Sequence, residues 1–210
     1  MRSKVSDVLI LLSAVLMWVL LASPASVTTM AGSVQPVYRA AKSGEVSIQC
    51  LVSWDAEALD GILDKLRESG IRITFAVSAD WAESHRDELI SMSSFGHETA
   101  LLDEPSEETV TLIESVTGIR PRICVFSRDD PKGYKQAEKL GLTAVRCTVD
   151  LDTANGTSED ILERTGRGIG DGSIINVLPT AGFENALVKL TEKIKNIGLD
   201  IVPTHKMLYN

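Results

Sequence analysis

The feature that most constrains this chain is a strand–helix–strand pattern over residues 46–77, VSIQCLVSWDAEALDGILDKLRESGIRITFAV. Residues 46–52 form a short apolar run of the kind a buried strand requires. Ser53 and Asp55 offer N-cap oxygens where that run ends. Leu59, Ile62, Leu63 and Leu66 then recur at helical spacing. Gly70 sits where a left-handed C-cap glycine belongs. Residues 71–77 return to apolar, β-branched character. The connection is long enough for a crossover helix, which makes the two strands parallel and the crossover right-handed.

The same alternation continues along the chain. The pattern predicts a helix over 80–94, a strand over 98–102, and a helix capped by Ser106 that carries two acids in its first turn and stops at Gly118. A strand over 122–126 precedes a helix over 131–140 that opens on Pro131 and ends at Gly141. A strand over 142–149, a helix capped by Thr157, a strand over 173–178, an amphipathic helix over 183–197 and a strand over 199–202 complete it. Alternating strands and helices argue for a parallel α/β fold. The 210 residues suffice for one domain with a substantial core.

The first residues read as a targeting segment. Arg2 and Lys4 precede an uncharged run over 8–22, the length of a signal-peptide core and short for a membrane span. Small residues at Ser23 and Ala25 suit cleavage, and an uncleaved anchor is the alternative. Basic residues before the run place the rest outside the cytoplasm, secreted or held at the outer membrane face. The organisation is therefore a signal peptide or anchor over 1–25, a linker over 26–44 and a domain over 45–210. A net charge of −8 with no basic run disfavours nucleic acid and other polyanions as partners. Cys50, Cys124 and Cys147 lie in apolar runs without CxxC spacing, which argues against a zinc knuckle. They read as small buried hydrophobes, with a Cys50–Cys124 disulfide open if the two strands are neighbours.

Six short motifs occur in one order: Ile73-Thr74-Phe75-Ala76-Val77, Gly96-His97-Glu98, Thr117-Gly118-Ile119-Arg120-Pro121, Leu140-Gly141-Leu142, Val149-Asp150 and Gly172-Ser173-Ile174-Ile175. Together they resemble the framework of the polysaccharide deacetylase family (NodB homology, carbohydrate esterase family 4), from about residue 46 to the end. The resemblance implies a distorted (β/α) barrel. It also implies metal-assisted hydrolysis, with one aspartate and two histidines on the ion, a second aspartate as base and a late histidine as acid. Those positions are substituted in this chain. The family's T-F-D-D-G matches Gln49-Cys50-Leu51-Val52-Ser53, so its base and metal aspartates match Leu51 and Val52. Its G-H-E-x-x-N-H-T matches a stretch ending Leu101-Leu102-Asp103, and its R-P-P-Y-G matches Val125-Phe126-Ser127-Arg128-Asp129. Its late histidine matches Leu178, before Pro179. Loss of carboxylate and imidazole ligands removes the metal, so no catalytic residue, metal ligand or cofactor is expected.

The chain has three histidines, His85, His97 and His205, and no two at ligand spacing. His97 matches a framework position and reads as a structural, hydrogen-bonded histidine, and His85 as a solvent-facing residue on a polar helix. Leucine, valine and phenylalanine at the former catalytic positions predict a barrel mouth filled with apolar side chains. Ligands of parallel α/β folds bind at the C-terminal ends of strands. There the groove candidates are Trp54, Asp55, Asp103, Arg128 and Asp150, with Asp129 and Asp152 nearby. The ordinary reading of the carboxylates is turn-forming and capping. Trp54 either stacks on a sugar or packs into the fold. Three readings follow: a catalytically inactive, wall-facing glycan-binding or scaffolding protein; an active deacetylase with Zn²⁺ or another divalent ion in a site rebuilt around Asp55, Asp103 and Asp150; or a protein-interaction module.

Overall fold

The computed structural model describes residues 34–41, 44–54, 56–166 and 168–209. The segment 1–25 read as a signal or anchor lies outside them, and no helix among the described residues is long and apolar enough to cross a membrane. Eight strands appear among them: β1 Glu45–Val52, β2 Thr74–Val77, β3 Glu98–Leu102, β4 Ile123–Val125, β5 Thr143–Val145, β6 Val149–Asp150, β7 Ile174–Val177 and β8 Asp200–Ile201. All pair in parallel, in the order β5-β4-β3-β2-β1-β7-β6, with β8 on the start of β1. The helices are α1 Leu59–Ser69, α2 Ala79–Ser84, α3 Arg86–Ser94, α4 Glu107–Thr117, α5 Pro131–Lys139, α6 Ser158–Thr165, α7 Ala181–Asn196 and α8 Thr204–Tyr209. A curved parallel sheet inside a layer of crossover helices is the parallel α/β fold that the alternation predicts, in the distorted (β/α) barrel form that the resemblance implies.

β1 is the central strand, and its period of two divides the core. Val46, Ile48, Cys50 and Val52 face the helices and pack in one cluster with Ile62 and Leu66 of α1 and Phe183, Leu187 and Leu190 of α7. Ser47, Gln49 and Leu51 face the barrel interior. The upper interior is apolar, with Leu51, Ala76, Ala100, Leu102 and Val125 in a second cluster. Near the N-terminal ends of the strands it is polar, and α8 closes it there. Ser47 Oγ lies 2.7 Å and Gln49 Nε2 3.0 Å from Thr204 Oγ1. The Thr74 hydroxyl donates to Glu98 Oε2 at 2.6 Å and accepts from the Thr204 N–H at 2.8 Å.

Several local expectations need correction. α1 starts at Leu59 with Ala58 as its N-cap and no side-chain cap, so Ser53 does not cap it. The helix expected over 80–94 breaks at His85, which has φ −127° and ψ 53°. Its Nδ1 bonds the Trp81 carbonyl at 2.9 Å and its ring stacks on Trp81 at 4.5 Å, so it is half-buried and tied down, not solvent-facing. The strand expected over 142–149 is two strands on opposite edges of the sheet, because the chain crosses the open side of the barrel there. A Cys50–Cys124 disulfide is excluded. Both thiols are free, and β2 and β3 separate their strands. Three inter-strand spacings come to roughly 14 Å, against the 7 Å or so that a disulfide spans. Burial pushes both thiols above their ordinary pKa.

Part of the stretch read as linker is built into this open side. Val37 bridges Val145 in parallel and Arg39 bridges Ser173 in antiparallel fashion. The Val37 N–H donates to Ala144 O, the Arg146 N–H to Val37 O and the Ala40 N–H to Gly172 O, each at 2.9 Å. The strap thus satisfies backbone groups in and just after β5 and just before β7.

Candidate functional site

The C-terminal ends of β1, β2, β3, β4 and β7 surround a cavity of about 330 Å³. Leu51, Leu102 and Leu178 line it from the barrel side. Its rim carries Ser53 and Trp54 after β1, Ser78 and Asp80 after β2, Asp103 and Glu104 after β3, and Ser127 and Arg128 after β4. Trp54 is 83 % exposed, so its ring is not part of the core.

Three of the five groove candidates, Trp54, Asp103 and Arg128, therefore meet in one cavity. Asp103 has φ +59°, a left-handed conformation that aspartate tolerates better than most residues. Its carboxylate accepts from the Ser127 N–H and hydroxyl, both at 2.8 Å, and so ties the end of β3 to that of β4. Asp150 lies elsewhere: it is on the edge strand β6, does not line the cavity, and accepts from the Asp152 N–H at 2.8 Å. Asp152 is left-handed at φ +45°, and Arg164 donates to its carbonyl at 2.7 Å. Asp129 accepts from the Tyr134 hydroxyl at 2.8 Å. Asp55 lies outside the described residues. Among the described residues, Asp103, Asp129, Asp150 and Asp152 each have a hydrogen-bond partner, in Asp103 across two strand ends and in the others within a few residues, whereas Asp80 and Glu104 stand exposed on the rim.

Among the described residues the donor set does not fit a catalytic metal. Leu51 points into the cavity, whereas Val52 points into the helix-side core. Phe126 is buried edge-on against Tyr134 at 4.8 Å. None of the three histidines lines the cavity. Among the described residues no group of three or more His, Cys, Asp or Glu side chains could hold an ion.

No protein-family model matches the sequence, and no curated protein matches it. Solved structures do match its fold. A wild-type pseudoenzyme of carbohydrate esterase family 4 from Bacillus anthracis is 22% identical, with 84% of this chain and 69% of that one covered at a TM-score of 0.77. A mutant of that pseudoenzyme with restored enzymatic activity gives 20% identity, 84% and 72% coverage and a TM-score of 0.78. The PdaA protein of Bacillus subtilis, a family 4 carbohydrate esterase, gives 12% identity, 83% and 85% coverage and a TM-score of 0.73. The fold is that of the family 4 carbohydrate esterases.

Within this family 4 esterase fold, His97 serves structure. His97 is buried, accepts from the Ile73 N–H through Nδ1 at 3.2 Å, and meets Phe75 edge-on at 5.1 Å. Burial, with Arg72 nearby, lowers its pKa to about 4, so it is neutral at physiological pH. His205 sits on α8 at the opposite end of the barrel, where burial and Arg122 lower its pKa. Sequence reasoning missed α8 and the polar cluster of Ser47, Gln49, Thr74, Glu98 and Thr204. A signal was present: Ser47 and Gln49 are polar residues two apart in an otherwise apolar strand. Burial raises the Glu98 carboxyl pKa, an effect opposed by the Thr74 hydroxyl and the N–H groups of His205 and Thr204.

Proposed function

We propose that this protein is an exported, catalytically inactive relative of polysaccharide deacetylases that holds a cell-wall glycan in the groove at the C-terminal ends of its strands. One observation carries the reading. Where this fold places its reaction, the groove has a leucine floor and an exposed tryptophan at the rim. Solved structures of this fold include a pseudoenzyme and a peptidoglycan N-acetylglucosamine deacetylase, which supports a glycan as the ligand. The chemistry agrees. A pyranose presents a C–H face that packs on an indole, while its hydroxyls bond to rim carboxylates and serines. The export segment supports a wall-facing location.

The test uses the full chain with glucosamine oligomers, acetylated or not, and with peptidoglycan fragments. Saturable binding of one of these glycans, weakened by Trp54→Ala, is the expected result, with no release of acetate. Chelator-sensitive acetate release, or stoichiometric Zn²⁺ or Co²⁺ binding by calorimetry, would overturn the inactive reading. Absence of glycan binding would overturn the glycan.

A further inference from the structure

The charge balance of the groove narrows its ligand. Asp80, Asp103 and Glu104 line it against a single guanidinium, Arg128. Among the described residues no ion pair joins Arg128 to any of the three. Asp80 lies in the first turn of α2 and Glu104 on the turn after β3, and both are exposed. A second cavity of about 440 Å³ continues from the first through Ala79, Asp103 and Glu104. It adds Asp130 and Lys132, one charge of each sign, so the negative excess is not cancelled. Beneath the rim, Leu51, Leu102 and Leu178 offer no side-chain partner to an amide.

An amino sugar exists in two states with different needs. The N-acetyl form carries a neutral amide that requires both a donor and an acceptor. The free form carries an amine beside electron-withdrawing oxygens, with a pKa near the α-amino value of about 8. At neutral pH it is largely an ammonium with three donors and no acceptor. The rim supplies carboxylate acceptors and a field that concentrates cations. We propose that the groove prefers de-N-acetylated, cationic stretches of an amino-sugar polymer, the product of deacetylation and not its substrate. Trp54 stacks on one sugar ring, and Asp80, Asp103 and Glu104 receive the ammonium groups. This rests on the glycan-binding reading above and specifies the chemical state of the glycan.

The experiment titrates the full chain by calorimetry with the β-1,4-linked N-acetylglucosamine hexamer and with the same hexamer fully de-N-acetylated. The de-N-acetylated hexamer is expected to bind roughly tenfold tighter or better at low salt, about 1.4 kcal/mol. That advantage shrinks at about 0.5 M salt as the charges are screened. Glu104→Gln combined with Asp80→Asn brings the two affinities together, with melting temperature followed to confirm that the variant is folded. Equal affinities, or tighter binding of the N-acetylated hexamer, overturn this inference and leave the glycan reading in place. A preference that survives the double substitution overturns the role of the rim carboxylates. Binding of neither hexamer nor of peptidoglycan fragments overturns both readings.

Discussion

Two buried residues show most directly how this chain holds its interior. Thr204 Oγ1 gathers Ser47 and Gln49, and the Thr204 N–H is received by Thr74. Thr204→Val keeps the shape and removes the hydroxyl, which strands buried donors and acceptors at a cost of about 1–3 kcal/mol. Urea unfolding should show a lower midpoint with an unchanged slope, and an unchanged midpoint would refute the role. His97 predicts a pH dependence. Its pKa falls from 6.5 in the unfolded chain to about 4 in the fold. The unfolded state therefore binds more protons between those values, and stability declines as pH falls from 6.5 toward 4. The full effect is on the order of 3 kcal/mol, because each tenfold loss of proton affinity on folding corresponds to about 1.4 kcal/mol. Glu98, whose pKa is raised, acts in the opposite sense by taking up a proton more readily when folded. His97→Asn retains an acceptor for the Ile73 N–H and should flatten the melting temperature between pH 6.5 and 4. An unflattened profile would assign the slope to other groups.

Among the elements, the strap over residues 37–40 carries the clearest consequence. Gly172 has φ +75°, and a Cβ there would collide with the Ala40 carbonyl oxygen. Gly172→Ala combines left-handed strain with loss of that close approach, so it should destabilise by about 1–3 kcal/mol. Hydrogen exchange at the amides of Val37 and Ala40 should speed up more than at the amides of β1. Uniform acceleration would mean that the strap and the barrel open together. The break between α2 and α3 falls at His85, whose backbone N–H and Nδ1 both lie on the Trp81 carbonyl.

At the scale of the whole molecule, the two ends of the barrel have separate tasks. One end is closed by α8 over a polar interior, and the other opens into the groove over leucines. Trp54→Ala tests that division. Trp54 is 83 % exposed, so the substitution should change stability by no more than about 0.5 kcal/mol. Glycan affinity should fall roughly tenfold, within what aromatic stacking contributes. A large loss of melting temperature would instead make Trp54 a structural residue.

The sequence alone determined the parallel α/β alternation, the left-handed turn at Gly70, the helix stop at Gly118 and the caps at Ser106 and Thr157. Each depends on side chains within a few residues of one another, where hydropathy period and local backbone preference act directly. Of the apolar mouth it foresaw, Leu51, Leu102 and Leu178 line the cavity, while Val52 and Phe126 lie in the helix-side core and the rim is charged. Tertiary structure alone decided which distant residues meet. Strand order set Cys50 apart from Cys124, moved Asp150 to an edge strand while Asp103 entered the groove, and turned part of an apparent linker into the piece that closes the barrel. It also gathered Thr204 and three strands into one buried network. The period of a strand tells which residues share a face, but it does not tell which other strand that face will find.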